Sequence, residues 1–309
     1  MISDSVDSDV IDPVYMPFKP SELYPHFLVD AERQIEYYES SASRYHNFLA
    51  NNRNRKGIPI SKARHPCQIE KDEKFWTATT LKKLLDSPDS TESLVKIMIQ
   101  EFGSNPPIPG FDDWTACFDG PLSLVLEAAL PSPKSYVDWL RNNVGSSHFI
   151  PYVLYAAERA NKRTLEGATH VDAIIINKSN GVSLMIEAKV LSDISYSVSF
   201  DVFRNQFVRT LDVLLEPSSH GCEPLNKRRP DASIFLLLTP QPFKEQRHSR
   251  LYGRLFDEYT TYPDTIGRDL PHRKNVDWER LSRKIGWLSF EQINSLIPDA
   301  CPWIQTDEL

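Results

Sequence analysis

Two carboxylates and an amine stand at the borders of two apolar segments in the middle of the chain. The segment 169–190 reads THVDAIIINKSNGVSLMIEAKV. Its two apolar runs are separated by the turn-type sequence Lys178-Ser179-Asn180-Gly181, and this pattern predicts a β-hairpin. Asp172 begins the first run and Glu187-Ala188-Lys189 ends the second, so the two acids lie about equally far from the turn.

Such a hairpin brings the three charged groups to one rim of a sheet. Residues two apart in a strand point to the same face, so Glu187 and Lys189 share a side while Ala188 points away. Asp172 falls near the end of the hairpin that carries Glu187. Because burying such charges is costly unless they pair or coordinate a metal, the cluster indicates a chemical site. The alternative is a charged strand end that faces water.

Helices and one further strand must hold this hairpin in place. The pattern predicts a helix over Phe149–Leu165 before it and an amphipathic helix over Phe200–Leu215 after it. The uniformly apolar run Ala232–Leu238 predicts a central strand that is covered on both faces. Beyond it we expect a basic helix over Phe243–Tyr259 and a short final helix that opens at Trp287.

The set formed by Asp172 and Glu187-Ala188-Lys189 resembles the D…E-x-K signature of the PD-(D/E)xK, or restriction-endonuclease-like, nucleases. The resemblance covers about half the chain, from Ser146 onward. The core of that family runs helix, three-stranded meander, helix, strand. The first strand of the meander is expected here within Leu165–His170 or merged with the Asp172 strand. The resemblance implies a mixed α/β fold with a restriction-endonuclease-like core, in which helices flank a central mixed sheet.

The resemblance also implies roles for the site residues. Asp172, Glu187 and the carbonyl oxygen of Ala188 would hold Mg²⁺ or Mn²⁺, hard cations that prefer oxygen ligands. Lys189 would orient or deprotonate the attacking water, with its pKa lowered beside the cation. Glu158, in the helix before the hairpin, matches the place of an extra acid that assists the metal. A solvated helix glutamate is the alternative for Glu158.

Residues of the helix after the hairpin are further candidates. Gln206 occupies the position of a helix glutamine found in exonuclease-like branches of the family, although Thr210 stands where those branches have tyrosine. Arg204, Asn205 and Arg209 could contact the phosphate backbone of a nucleic acid. As ordinary exposed helix residues, these three need no function.

The sequence divides into three parts. Residues 1–20 are expected to form a flexible acidic tail, residues 21–145 a mainly helical region, and residues 146–309 the nuclease-like domain. Helices are predicted in the second part over Pro20–Ala50, Thr77–Leu85, Ser90–Phe102, Pro121–Leu130 and Pro133–Asn142. The basic loop 51–67 either meets phosphates or is a solvated connection.

Composition limits the classes of function. The net charge of -7 argues against nonspecific coating of nucleic acid, although residues 1–30 alone carry six acids and one lysine. The four cysteines have no C-x-x-C spacing, which favours free thiols in a reducing cytoplasm. No apolar run is long enough to cross a bilayer, so we expect a cytoplasmic protein with no membrane partner. Nucleotide-binding glycine loops, a serine-hydrolase elbow and zinc-type histidine clusters are not found.

These features predict a divalent-metal-dependent nuclease that hydrolyses DNA, with RNA left open as a substrate. The resemblance implies a restriction or anti-phage defence endonuclease whose N-terminal half recognises substrate, a second protomer or a partner protein. The alternative is a catalytically inactive nuclease-like module that binds DNA or a protein.

Overall fold

The computed structural model describes residues 10–11, 15–51, 69–161, 165–195, 200–217 and 222–304, with the backbone alone for 45–51. Within these residues the chain forms one five-stranded sheet and thirteen α-helices. In the same part of the chain, no helix combines the length and the apolarity needed to cross a bilayer. The helices are α1 (Pro20–Leu23), α2 (Ala31–Asn51), α3 (Glu73–Asp86), α4 (Ser90–Phe102), α5 (Trp114–Phe118), α6 (Lys134–Ser147), α7 (Pro151–Arg159), α8 (Gln206–Leu214), α9 (Gln241–Glu245), α10 (Leu251–Thr261), α11 (Asp264–Asp269), α12 (Trp278–Ser282) and α13 (Phe290–Leu296).

The sheet is mixed, and its strands follow each other in chain order. Its first three strands form an antiparallel meander, and the last two run parallel to the third. The predicted hairpin and the predicted central strand are both confirmed. The strands are β1 (Leu122–Leu130), β2 (Thr169–Asn177), β3 (Ser183–Ala188), β4 (Ser233–Thr239) and β5 (Ile285–Ser289).

Two strands replace predicted helices. The helix predicted for Pro121–Leu130 is wrong, because Leu122–Leu130 is β1 and pairs with β2 on both sides of Glu127. The final helix does not open at Trp287, since that residue lies within β5 and α13 begins at Phe290. In both cases sheet pairing overrides a local preference for helix, which is a weak determinant of structure. The first strand of the meander is therefore β1, and not a strand within 165–170.

The sheet and its hydrophobic core include residues from all three parts into which the sequence was predicted to divide. β1 comes from the region expected to be mainly helical, and the boundary expected at residue 146 falls inside α6. Met16 and Phe18 belong to the segment expected to be a flexible tail, yet they are buried in the core. The N-terminal residues and the sheet therefore share one hydrophobic interior.

Helices cover both faces of the sheet. One face packs against α2 to α5 and α13 through a cluster that includes Phe75, Leu81 and Ile186. The other face packs against α8 and α10 to α12 around Phe207 and Trp287. Because each face of the sheet is apolar, both must be covered, and a three-layer α/β/α arrangement results.

The α6–α7 pair is connected to the end of β1 and to the start of β2, which lie at the same end of the sheet. Leu130 at the end of β1 pairs with Thr169 at the start of β2, so both connections lie at the edge where β3 also ends. The pair has a small core of its own. Helix α7 is shorter than the helix predicted over Phe149–Leu165. The basic helix predicted over Phe243–Tyr259 is divided among α9, a 3₁₀ turn and α10.

Candidate active site

Asp172 and Glu187 lie side by side on β2 and β3. In this antiparallel pair Ala173 stands opposite Ile186, so the next step of the register sets Asp172 opposite Glu187. The backbone N–H of Ala188 donates to Asp172 Oδ2 at 2.7 Å and fixes the aspartate against the end of β3. The structure thus brings the two acids to one end of the hairpin.

The amine of Lys189 is buried beside these carboxylates. Its Nζ donates to Glu187 Oε1 at 2.7 Å and to the carbonyl oxygen of Ala188 at 3.1 Å. The side chain of Lys189 is 5% exposed and that of Glu187 is 0% exposed. Removal of either partner would leave the other as an uncompensated buried charge, which is strongly unfavourable.

Burial dominates the electrostatics of the cluster. Burial and the neighbouring Asp172 together raise the pKa of Glu187 to about 8, although Lys189 opposes the shift. Burial likewise raises the pKa of Asp172 to about 6. For Lys189 burial lowers the pKa, but the Glu187, Asp172 and Glu73 carboxylates outweigh it, so the pKa lies above its ordinary value. The lowered pKa predicted for Lys189 depends on a cation bound beside its amine. Without that cation, the neighbouring carboxylates of the protein raise the pKa.

One oxygen of Glu187 has no hydrogen-bond partner. Glu187 Oε2 is fully buried, and among the described residues nothing donates to it. A buried carboxylate oxygen without a partner is costly, and a cation ligand is one role that accounts for it. Asp172, Glu187 and the Ala188 carbonyl supply the hard oxygen donors that suit Mg²⁺, which binds through one or two carboxylates and keeps several waters. Across the described residues, no three His, Cys, Asp or Glu side chains form a metal site by themselves.

A third acid reaches the site from α3. Glu73 is the first residue of that helix, and its Oε2 lies 3.6 Å from Lys189 Nζ. Its Oε1 accepts the backbone N–H of Val190 at 3.2 Å and also the hydroxyl of Ser192. Glu73 therefore ties the chain just after β3 to the helix layer and adds negative charge beside the lysine.

A fourth acid lies on β1. Leu126 pairs with Ala173 and Ala128 with Val171, which sets Glu127 opposite Asp172. Glu127 has a φ of 51°, a left-handed conformation that is rare for a residue with a side chain. At this residue the strand changes sides, because Leu126 packs on one face of the sheet and Ala128 on the other.

Glu127 is held by a lysine of its own. Lys74 Nζ donates to Glu127 Oε2 at 2.7 Å and to Gln34 Oε1 at 3.3 Å. Burial raises the pKa of Glu127, Lys74 opposes the shift, and Glu187 contributes to the raised value. The site therefore contains two lysines as well as four acids. Gln34 of α2 contacts the site through its hydrogen bond with Lys74.

Neither Glu73 nor Glu127 was among the residues predicted from the sequence. Glu127 is a lone acid inside the apolar run LSLVLEAAL, which is the same signal that marks Glu187 in SLMIEA. Glu73 follows Asp72, whose side chain caps α3 by accepting the N–H of Lys74 at 3.1 Å. The helix predicted from the sequence begins only at Thr77, so Glu73 in the first turn of α3 lies outside it.

The predicted accessory residues Glu158 and Gln206 are not part of this cluster. Glu158 is exposed on α7, and its charge is not among the main causes of the pKa shifts of Asp172, Glu187 or Lys189. Gln206 is the first residue of α8, and its backbone N–H donates to the Ser195 carbonyl at 2.8 Å. The structure gives its side chain no hydrogen bond to the three central residues.

Arg204 is a structural residue and not an exposed phosphate ligand. It precedes α8, which is shorter than the helix predicted over Phe200–Leu215, and its side chain is 1% exposed. The guanidinium donates to Asp212 at 2.8 Å and to Glu166 at 3.3 Å, and it lies 3.5 Å from the ring centre of Tyr136. Because the guanidinium is buried and paired with these two carboxylates, it is not accessible to a phosphate group of a nucleic acid.

Asn205 and Arg209 are also engaged within the protein. Asn205 caps α8, since its side chain accepts the Val208 N–H at 2.9 Å and donates to the Tyr259 hydroxyl at 3.1 Å. Arg209 donates to Glu166 at 2.9 Å and is partly exposed. Of the three predicted phosphate contacts, only Arg209 reaches the surface.

The basic loop 51–67 lies, apart from Asn51, outside the described residues. No model of a protein family, no curated protein and no solved structure matches this chain.

Proposed function

We propose that the chain is a divalent-metal-dependent nuclease that hydrolyses phosphodiester bonds of DNA. The observation that carries the proposal is the group formed by Asp172, Glu187 and Lys189, in which Glu187 keeps one buried oxygen without a donor. Buried charges of this kind are kept at functional sites more often than elsewhere. The order of elements adds support, because an antiparallel meander is followed by α8 and by a strand parallel to β3. The hairpin, helix and strand follow the order expected from the resemblance to restriction-endonuclease-like nucleases, whereas α6 and α7 stand between β1 and β2 and not before the meander.

The residues have separate roles in this reaction. Asp172, Glu187 and the Ala188 carbonyl would hold Mg²⁺ or Mn²⁺, which neutralises phosphate charge and acidifies bound water. Lys189 supplies a positive charge next to the scissile phosphate, where a preorganised charge stabilises the transition state. Positive charge placed beside its amine favours loss of the proton, so the same lysine can orient the nucleophilic water as a base.

Glu73 is a positioning residue in this scheme. One of its oxygens holds the Val190 backbone and the other faces the lysine ammonium. Both contacts limit the movement of Lys189 away from the strand end. A catalytic group held within a fraction of an ångström of its working position retains most of its effect on rate.

Cleavage of plasmid DNA with Mg²⁺ or Mn²⁺ tests the proposal. We expect Glu187→Gln and Lys189→Met to abolish cutting while the matched variant Glu158→Gln, on exposed α7, cuts like the wild type. Glutamine retains an acceptor for Lys189, and Asp172 and Glu73 keep negative charge beside its amine. Circular dichroism of both variants checks that loss of cutting is not loss of the fold. Cleavage that persists in the first two variants would contradict the assignment.

The same assay separates the alternatives that concern substrate and activity. A labelled RNA of the same sequence, run in parallel, decides between DNA and RNA. DNA binding in a gel-shift assay without cleavage by any divalent cation would replace the proposal with that of an inactive, nuclease-like binding module. The restriction or anti-phage context belongs to the proposal, and loss of protection against phage infection in the Glu187→Gln strain is its expected consequence.

A further inference from the structure

A second pocket lies at the far end of the sheet from the acidic cluster. It has a volume of about 250 Å³ and lies where β4 and β5 begin. Asp231 stands two residues before β4, and Lys284 directly precedes β5. The acidic cluster lies at the opposite ends of these parallel strands, and β4 has seven residues. At about 3.3 Å per residue the two sites are roughly 20 Å apart.

The pocket combines apolar walls with two cationic groups. Leu215, Pro230, Val276 and Leu281 line it together with Arg280 and Lys284. The guanidinium of Arg280 is exposed, and no carboxylate of the described residues forms an ion pair with it. Within the described residues its N–H donors are therefore open to a ligand.

Lys284 is the buried member of the pair. The residue is 5% exposed, and its Nζ donates to the carbonyl oxygen of Asp231 at 2.5 Å. An ammonium has three N–H donors, and the structure gives this one a single acceptor. Burial lowers the pKa of Lys284 to about 8, and the charge of Arg280 acts in the same direction. The charge of Asp231 opposes this lowering of the pKa without cancelling it, so a negatively charged ligand would stabilise the ammonium further.

The two acids at the pocket already have partners. The Asp231 carboxylate binds Arg229 at 2.5 Å. The Asp277 carboxylate accepts the backbone N–H of Arg280 at 2.9 Å, as the cap of α12. Neither carboxylate makes an ion pair with Lys284 or with the Arg280 guanidinium, so both cations remain open to a ligand.

We propose that this pocket binds a small phosphate monoester, with Arg280 and Lys284 on the phosphate and the apolar walls on its carbon body. The guanidinium fork matches phosphate oxygens in pairs, and the ammonium acts as a point charge beside it. Two cations balance the dianion that a phosphate monoester carries near neutral pH. A volume of about 250 Å³ admits a phosphate with a body of roughly one small ring, but not a whole dinucleotide.

Binding should depend on pH in a defined window. Lys284 gains its proton as the pH falls through about 8, and the phosphate keeps its second charge above about 6. The other charged groups at the pocket are Arg280, Asp231 and Asp277, together with Arg229, which pairs with Asp231. Affinity should therefore be highest between pH 6 and 8 and should fall above that range.

Isothermal titration calorimetry with phenyl phosphate tests the proposal. Work in EDTA keeps the proposed nuclease chemistry out of the measurement, and Glu187→Gln should bind as the wild type does. We expect saturable binding that weakens at least tenfold in Arg280→Gln and in Lys284→Met. The matched control is Arg283→Gln, because Arg283 is exposed near Arg280 and pairs with Glu279 at 3.5 Å.

The results that count against the proposal are specific. Absence of saturable binding, or equal weakening by Arg283→Gln and Arg280→Gln, would overturn it. If Lys284→Met does not fold, Arg280→Gln still decides, because an exposed arginine is not needed for the core. Equal affinity for phenyl phosphate and for benzyl alcohol would also overturn it, since the phosphate would then contribute nothing.

The source of the phosphate is distinguished in a second titration. A short DNA oligonucleotide with a 5′-phosphate is compared with the same oligonucleotide lacking it. A phosphorylated strand that binds more tightly than both the unphosphorylated strand and phenyl phosphate identifies a nucleic-acid end as the ligand. A phosphorylated strand that does not exceed both of them identifies a free small molecule.

Discussion

Glu187 combines features that are unfavourable for a carboxylate. It is fully buried, one oxygen is bonded to Lys189, and the other has no donor in the described part of the chain. Its pKa is raised to about 8 because burial and Asp172 both disfavour the ionised form. A ligand that supplies positive charge at this position offsets the cost of the buried carboxylate. Binding of a divalent cation here would therefore raise the free energy of unfolding.

The first prediction follows from that linkage. Mg²⁺ or Mn²⁺ at about 100 times its Kd should stabilise the wild type by about 2.7 kcal/mol, because a ligand that binds only the folded state shifts unfolding. Glu187→Gln should lose most of the rise in melting temperature, and Glu158→Gln should keep it. Differential scanning fluorimetry with and without the cation measures the effect. An equal rise in both variants would place the cation elsewhere.

The second prediction concerns Glu73. Its neutral variant Glu73→Gln keeps the shape of the side chain but loses the charge 3.6 Å from Lys189. We expect a 10- to 100-fold lower cleavage rate with little change in melting temperature, as is typical when a supporting residue beside a metal site is changed. Glu92→Gln on exposed α4 is the control, since Glu92 pairs only with Lys96. If Glu73→Gln cleaves at the wild-type rate, the charge of Glu73 does not assist catalysis and the residue only holds the backbone after β3.

At the scale of elements, the segment before α8 joins several parts of the molecule. Arg204 bonds Glu166 before β2 and Asp212 in α8, and its guanidinium stacks on Tyr136 of α6. The α6–α7 pair is thereby attached to the sheet through a buried ion network and not only by its two connections. The network explains why residues that resemble exposed helix charges in the sequence are inaccessible.

The third prediction distinguishes this structural role from a role in nucleic-acid binding. Arg204→Gln should destabilise the fold by about 1.5–3 kcal/mol, because the buried Glu166 and Asp212 each lose a charge-assisted bond and keep Arg209 and Arg273 as their remaining cationic partners. Below its melting temperature the folded variant should bind DNA with the affinity of the wild type. The control Arg141→Gln removes an exposed arginine of α6 and should change neither property. Urea denaturation and gel-shift titration provide the two measurements.

At the scale of the whole molecule, Asp212 couples α8 to the chain after α11. Its Oδ1 accepts from Arg273 Nε at 2.7 Å and lies 3.0 Å from His272 Nε2. Burial alone would raise the pKa of Asp212, but the hydrogen bond with His272 and the charges of Arg204 and Arg273 hold it at about 2. The ordinary value is 3.8. Ionised Asp212 therefore stabilises the folded state.

The fourth prediction is the acid dependence of unfolding. The contribution of Asp212 is complete above pH 4 and disappears as the pH falls from about 4 to about 2, because the folded state then takes up the proton later than the unfolded state. The loss amounts to about 2 kcal/mol. Asp212→Asn should be less stable at neutral pH and should lack this part of the acid transition, whereas Asp138→Asn on exposed α6 should retain it. Denaturant titrations at a series of pH values measure the difference.

Local sequence was sufficient for the hairpin and insufficient for the strands at its sides. The β-branched runs and the Asn180-Gly181 turn predict β2 and β3 directly. β1 consists largely of leucine, alanine and glutamate, which favour helix, and only pairing with β2 makes it a strand. β5 is short and contains Gly286, where an added Cβ would lie 2.4 Å from Phe102 of α4. That close approach depends on tertiary packing.

The acids of the site also differ in whether local sequence or long-range packing brings them together. Asp172 and Glu187 are joined by one turn, so their meeting could be predicted. Glu73 and Glu127 come from α3 and β1, and their meeting with Lys189 and Asp172 depends on long-range packing. Periodicity likewise assigns Arg204 to a helix surface, because a buried ion pair and a solvated charge have the same pattern.

The attachment of the α6–α7 pair has a consequence for how this protein diversifies. Both of its connections lie at the rim that holds the acids, and its outer side displays Phe149, Tyr152 and Tyr155. Lengthening, shortening or exchanging this pair leaves every strand-to-strand bond in place. Natural variation can therefore accumulate next to the acids without refolding the layer that carries them, and chimaeras that swap residues 137–165 between related chains, keeping Tyr136 and Glu166 as partners of Arg204, are a practical route to altered selectivity.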